Sequence, residues 1–126
     1  MAKVKTQSDP ALTQFVTGYL EAALWASSDE KGPLDDQYKQ SDFSKDAIEK
    51  AISDCGQFMK KNRKDLEATG VDDWENGKDF WLTRNGHGSG FWDRGNGEVG
   101  DRLTEAAHGF GETYVYAGDD GKLYLA

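Results

Sequence analysis

Residues 79–95 read DFWLTRNGHGSGFWDRG, and this stretch decides the fold class that the sequence predicts. Two short aromatic runs, Phe80–Arg84 and Phe91–Arg94, flank Asn85–Gly90, in which every second residue is glycine. Short aromatic runs bounded by glycine are typical of strands joined by a turn. The stretch therefore predicts a β-hairpin with a long, glycine-rich tip.

The chain before this stretch has the spacing of helices. Apolar residues between positions 12 and 24 recur at i, i+3, i+4 and i+7, which predicts a helix that Ser8 or Asp9 can cap. A second apolar stripe predicts one helix from about residue 44 to 68. The segment 27–40 between them is charged and contains a Gly-Pro pair, so it predicts a surface loop.

The chain after this stretch predicts a short helix and a second hairpin. Asp101 can cap the helix, and Gly109 can end it. Two β-prone runs, 113–117 and 122–125, flank the turn sequence Gly118–Gly121. The expected fold is therefore α+β: two N-terminal helices followed by two antiparallel β-hairpins with a short helix between them, and a single small sheet packed on the helices.

Length and charge limit the classes of protein that the chain can represent. Its 126 residues suit a single domain, with a helical half at about 8–70 and a β-rich half at about 71–126. The 23 acidic residues exceed the 15 basic ones, which gives a net charge of −8. Nucleic-acid affinity comes largely from lysine and arginine on phosphates, so this balance argues against direct binding to DNA or RNA and favours basic partners.

The sequence predicts a protein of the reducing cytoplasm of a host cell. Cys55 is the only cysteine, which excludes a disulfide within the chain. The first residues carry positive charge without the apolar stretch of a signal peptide. The longest apolar segment, 22–26, is too short to cross a membrane.

The candidate binding residues surround the predicted hairpin tip. Glycine allows a backbone to approach a ligand closely, and polar and aromatic side chains supply contacts. Whichever of Trp81 and Trp92 faces solvent would anchor a partner together with Trp74 and Arg84, because aromatic and arginine residues dominate interface energetics. The structural alternative is that the aromatic residues fill the core and that arginine and aspartate pair across the strands. The candidates are Arg84, Asn85, His87, Ser89, Trp92, Asp93 and Arg94.

No pattern in the chain predicts a catalytic residue, a metal or a cofactor. His87, Ser89 and Asp93 have the residue types of a catalytic triad, but neighbours on one loop rarely converge on one reacting atom. His87 and His108 lack the spacing of known metal motifs. The glycines are not followed by the lysine and hydroxyl residue of a phosphate-binding loop.

Four segments of the sequence carry a resemblance to a known family. They are FVTGYLEAALW at 15–25, the stretch at 79–95, GDRLT at 100–104 and YAGDDGKLY at 116–124. Together they resemble a family of small uncharacterised proteins encoded by bacteriophages and related mobile elements. The resemblance implies a phage origin and action inside a cell, and it brings no activity, ligand or catalytic residue with it. Small phage proteins often act by stoichiometric binding, so by analogy the resemblance favours a binding protein.

Three functions remain open on the sequence. The first is a non-enzymatic phage-type protein that binds and modulates a host or phage protein, in host takeover or against host defence. The second is a DNA mimic, in which the carboxylates on both sides of the hairpin imitate phosphates and inhibit a nucleic-acid-binding protein. The third is a small enzyme or ligand-binding protein whose pocket at the glycine-rich hairpin uses His87, Asp93 and Arg94.

Overall fold

The computed structural model describes residues 9–126, and its first helix, α1, spans Pro10–Trp25. Asp9 caps this helix by accepting a hydrogen bond from the Leu12 backbone N–H, and Pro10 fits the first turn, where no intrahelical N–H bond is needed. The predicted first helix is therefore confirmed. Its other candidate cap, Ser8, lies outside the described residues.

The helix α4, Asp73–Arg84, crosses α1 at two glycines. A Cβ atom on Gly18 would lie 1.9 Å from the backbone oxygen of Trp74, and one on Gly77 would lie 1.9 Å from that of Phe15. Only a hydrogen atom fits at either position, so the two helices make backbone contact there. This crossing fixes α4 in the middle of the molecule.

The predicted hairpin at residues 79–95 is wrong, because its first aromatic run belongs to α4. Asp72 caps the helix by accepting from the Glu75 backbone N–H, and Gly86 follows its end with a φ of 66°. Every residue from Asp79 to Arg84 is buried, so this half of the helix has no exposed polar face, and its run of apolar residues resembles a strand in sequence. The second run forms one turn of 3-10 helix, Phe91–Asp93.

The predicted second helix is two helices. The helix α2, Lys45–Lys61, begins at Ser44, whose hydroxyl accepts from the Ala47 N–H. Asn62 leaves the helical conformation, with φ −122° and ψ 23°, and α3, Arg63–Ala68, follows it. Both helices contribute apolar side chains to the shared core.

The short helix and the last hairpin that the sequence predicts are confirmed. The helix α5 spans Glu98–His108, and Gly109 caps its end as predicted. The predicted cap at Asp101 is wrong, because the helix already begins at Glu98, after the N-cap Gly97. The strands β3, Val115–Ala117, and β4, Leu123–Leu125, pair antiparallel.

The predicted α+β fold with one sheet is wrong, because the structure contains very little β-sheet. The strands β1, Ser28–Asp29, and β2, Gly32–Pro33, form a two-residue pair within the predicted loop, separate from the sheet of β3 and β4. The described residues thus form five α-helices with two very small sheets, rather than two helices followed by two hairpins in one sheet.

The core consists of aromatic rings held between the helices. The Phe58 and Phe80 rings stack at 4.1 Å between centroids, and Phe110 packs edge-on against Phe80 at 5.2 Å. Leu123 of β4 is fully buried, and its carbonyl accepts from the Ser44 N–H, so the last hairpin is fastened to the start of α2. This attachment places the opposite face of the hairpin in solvent.

Candidate functional site

Arg84, a predicted binding residue, is a core residue. Its side chain is 4% exposed and donates to the Asp54 carboxylate at 2.9 Å and to the Tyr19 hydroxyl at 2.9 Å. It also donates to the backbone oxygens of Phe110 and Gly111, at 3.0 and 2.8 Å. These contacts join α1, α2, α4 and the segment after α5, so Arg84 cannot anchor a partner on the surface, and the expected pairing with Asp93 does not form.

The buried groups next to Arg84 are held in their neutral forms. Burial raises the pKa of the Tyr19 hydroxyl, and the nearby Cys55 thiol and Asp54 raise it further, although Arg84 lowers it. Burial likewise raises the pKa of the Cys55 thiol, with a smaller contribution from Asp54. A buried thiol with a raised pKa is a weak nucleophile, so Cys55 acts as a small apolar core residue.

Asp93 and Arg94 are committed to local contacts. Arg94 makes two hydrogen bonds to the buried Asp79 carboxylate, at 2.8 and 3.2 Å, and these bonds raise the pKa of Arg94. Asp93 accepts from the Gly90 backbone N–H at 3.1 Å and lies 3.7 Å from Arg94. Arg94 lines a small cleft with Asp79 and Glu75, whereas His87 lines a different one. His87, Asp93 and Arg94 are therefore not gathered into one pocket, as the enzyme hypothesis requires.

The tryptophans divide between core and surface. Trp81 is 3% exposed and packs edge-on against Tyr19, whereas Trp92 is 52% exposed. Trp74 is half-buried, with the Lys78 ammonium 4.4 Å above its ring. Of the predicted anchors, Trp92 alone is an open surface ring. Trp25 at the end of α1 is equally exposed but was not among the predicted binding residues.

His87 and Trp25 form the edge of a surface cleft. Their rings lie 5.5 Å apart, and the Ser89 backbone N–H donates to His87 Nδ1 at 3.2 Å. This bond and the Trp25 contact hold the His87 ring at the cleft wall.

This cleft, which we call the His87 cleft, has a volume of about 290 Å³. Its walls come from the end of α1, the end of α4 and the segment before β3, which are far apart in sequence. Asn85 joins two walls, because its side-chain oxygen accepts from the Thr113 N–H and its amide donates to the Trp81 carbonyl. The lining residues are Ala26, Ser27, Trp81, Asn85, His87, Glu112, Thr113 and Tyr114.

A row of exposed tyrosines continues the cleft along the last hairpin. Tyr114 is 65% exposed, and its ring lies 6.0 Å from that of Tyr116, which stacks on Tyr124 across the strands at 5.6 Å. Side chains alternate between the faces of a strand, and Leu123 points into the core. The tyrosine rings consequently share the solvent side, and we call Trp25, His87, Tyr114, Tyr116 and Tyr124 the aromatic face.

The turn of this hairpin holds the Tyr124 ring in place. A Cβ atom on Gly118 would lie 2.5 Å from that ring, so the ring crosses the turn closely. The Tyr124 hydroxyl donates to the Asp120 carboxylate at 2.6 Å, which lowers the pKa of Asp120 and raises that of Tyr124. The Tyr124 ring is therefore held in place by contacts within its own hairpin.

The acidic residues that a DNA mimic would use do not all face solvent. Asp79 is 3% exposed and paired with Arg94, and Asp72 caps α4. Asp73 has a raised pKa because it is partly desolvated, with further contributions from neighbouring carboxylates. These positions are used by the fold, which reduces the array available to imitate phosphates.

Residues 9–126 contain no cluster of three or more histidine, cysteine or acidic side chains placed to hold a metal ion. Within the same range, no helix is long and apolar enough to span a membrane. A comparison with protein-family models, curated proteins and solved structures found no match to this chain.

Proposed function

We propose that this chain is a non-catalytic, phage-type protein that docks a basic segment of a host or phage protein on its aromatic face, in the cytoplasm of the host cell. The observation that carries the proposal is a row of rings on both sides of the His87 cleft: Trp25 and His87 are in contact on one side, and Tyr114, Tyr116 and Tyr124 follow on the other. The resemblance to small bacteriophage proteins supports the class of function by analogy.

The composition of the aromatic face favours a protein partner. Tryptophan and tyrosine are enriched among the residues that carry most of the binding energy in protein interfaces. Trp25, Tyr114 and Tyr116 are 54%, 65% and 45% exposed, so each ring gains apolar contacts when a partner buries it. Exposed aromatic residues grouped on one side of a small domain are typical of interaction sites.

The charge of the chain favours a basic partner. The net charge is −8, and residues 111–126, which carry the tyrosines, have three acidic side chains and one lysine. Complementary charge increases the rate at which partners meet and disfavours acidic competitors such as nucleic acids. A segment rich in arginine or lysine matches both the rings and the carboxylates.

The proposal is tested by capture of proteins from a nuclease-treated bacterial lysate with three tagged baits. The baits are the wild type, a Trp25→Ala/Tyr114→Ala double variant and a Trp92→Ala control, which removes an equally exposed ring elsewhere on the surface. Loss of two central interface rings weakens binding by more than tenfold. We therefore expect a stoichiometric protein with the wild type and the control, and at least tenfold less of it with the double variant.

Three results would contradict the proposal. One is equal recovery of every captured protein by the double variant. Another is a wild-type dimer in light scattering that the double variant disrupts, because a second copy would then cover the aromatic face. The third is a captured DNA-binding protein whose affinity falls steeply with salt but ignores the ring substitutions, which would indicate DNA mimicry. Circular dichroism confirms that each bait is folded.

A further inference from the structure

The His87 cleft has a negative end of a helix on two of its sides. Ala26, the C-terminal cap of α1, and Asn85, the C-terminal cap of α4, both line it. The aligned peptide dipoles of a helix place partial negative charge at its C-terminus, which favours a cation nearby. Two helices of 16 and 12 residues thus act on the same small volume.

The side chains of the cleft add to this preference. Glu112 supplies an exposed carboxylate, and no ion pair within residues 9–126 involves it. Neither lysine nor arginine is among the residues that line the cleft.

The aromatic walls distinguish between kinds of cation. Trp81, His87 and Tyr114 line the cleft, and Trp25 lies against the His87 ring. A planar guanidinium stacks on aromatic rings and bonds a carboxylate with two parallel N–H groups, whereas an ammonium acts as a compact point charge. The volume of about 290 Å³ is at the lower limit for small-molecule sites, which suits a single side chain better than a cofactor.

The same chain shows how such a group is held. The Arg84 guanidinium lies beside the Phe80 and Phe110 rings, 5.6 and 5.7 Å from their centroids, and contacts the Asp54 carboxylate and the carbonyls at 110 and 111. The His87 cleft has the same kinds of group, namely aromatic rings, a carboxylate and the carbonyl ends of helices, but they lie at the surface.

From these features we infer that the His87 cleft receives an arginine side chain of the partner, stacked on Tyr114 and paired with Glu112. The inference deepens the proposed function and rests on it, because it names the residue type that the docked basic segment supplies. The rest of the aromatic face then packs against the residues on either side of that arginine.

The inference is tested by NMR titration of the isotopically labelled protein with three short peptides. Acetyl-Gly-Arg-Gly-amide is compared with its lysine counterpart and with its citrulline counterpart, a neutral molecule of nearly the same shape. We expect the arginine peptide to bind in the millimolar range and to shift the signals of Trp81, His87 and Thr113. The lysine peptide binds several-fold more weakly, and the citrulline peptide leaves these signals in place.

A matched pair of variants isolates the carboxylate. Exchange of a surface carboxylate for an amide removes one ion pair, and this loss weakens binding by about fivefold. Glu112→Gln should therefore weaken the arginine peptide about fivefold, whereas Glu105→Gln on α5, outside the cleft, should leave its affinity unchanged. Equal shifts by the citrulline peptide, or an unchanged affinity of Glu112→Gln, would overturn the inference.

The outcomes separate this inference from the proposed function. Suppose that a captured protein depends on Trp25 and Tyr114, but the arginine peptide does not perturb the cleft. Docking on the aromatic face is then upheld, and the arginine site is refuted. If the peptide binds at the cleft through Glu112 while no captured protein depends on the aromatic face, the cation site is upheld and the docking proposal is refuted.

Discussion

Replacement of Arg84 with alanine removes the side chain that connects four separate segments of the molecule. The guanidinium is 4% exposed and donates to Tyr19, Asp54 and the carbonyls of Phe110 and Gly111. We expect Arg84→Ala to destabilise the protein strongly rather than to alter a surface contact. A loss of partner binding in this variant would therefore report unfolding.

The size of the effect follows from the groups left behind. Removal of one member of a buried ion pair costs about 3–5 kcal/mol, and the 21% exposure of Asp54 places this pair near the lower limit. The buried Tyr19 hydroxyl loses its hydrogen-bond donor, and the Phe80 and Phe110 rings lose a cation–π contact, which together add about 1–2 kcal/mol. We therefore expect a loss of about 4 kcal/mol out of the roughly 5–15 kcal/mol typical of a domain.

Urea denaturation followed by tryptophan fluorescence measures this loss. With a slope of about 1.5 kcal/mol per molar, the unfolding midpoint should fall by roughly 2–3 M. Arg102→Ala is the matched control, because Arg102 is 57% exposed and its pair with Asp65 is worth at most about 1 kcal/mol. A loss below about 1 kcal/mol for Arg84→Ala, or equal losses for both variants, would refute this account of the buried network.

Three further predictions concern the fold. Gly18→Ala places a methyl group 1.9 Å from the backbone of α4 and should lower the free energy of unfolding, measured in urea, by about 3 kcal/mol. Gly56→Ala is the control: the nearest atom is 3.9 Å away, so it should raise the free energy of unfolding by about 0.5–1 kcal/mol. Equal effects of the two substitutions would contradict the close crossing of α1 and α4. Cys55 should react with a thiol reagent only as fast as the protein unfolds, and rapid reaction in buffer would show that it is not buried. The hydrogen bond from Arg102 lowers the pKa of Asp65. The ion pair therefore stabilises the fold fully above about pH 3.9, the pKa of an unfolded aspartate, and this stabilisation is lost as the pH falls towards the lowered pKa. An NMR titration of Asp65 should give a pKa below about 3.9 in the wild type and a pKa near that value in Arg102→Gln.

The elements that were predicted correctly are those in which the spacing of apolar residues indicates a single buried face. The helix α1 shows an apolar stripe and a cap, and the hairpin of β3 and β4 shows two β-prone runs around Gly118–Gly121. The helix α4 lacks such a stripe, because it packs against neighbours on most sides. Asp72 before this helix and Gly86 after it are residue types typical of helix ends, but the prediction rested on the aromatic run at 80–82 alone.

The candidate site could be predicted only in part, because its walls come from three distant segments. Asn85 and His87 were among the predicted binding residues, and both line the cleft. Trp25 and Tyr114 were not predicted, since nothing local indicates that they meet His87. The burial of Arg84 depends on Asp54 and on the segment after α5, which no pattern near residue 84 could reveal.

Hydroxyl-radical footprinting of the protein, free and in complex with its captured partner, tests the central claim most directly. The method reports the solvent exposure of individual aromatic side chains, and Trp25, Tyr114, Tyr116 and Trp92 are all about half exposed in the free protein. We predict that the partner protects Trp25, Tyr114 and Tyr116 and leaves Trp92 as reactive as in the free protein. Protection of Trp92 with an unchanged aromatic face would contradict the account.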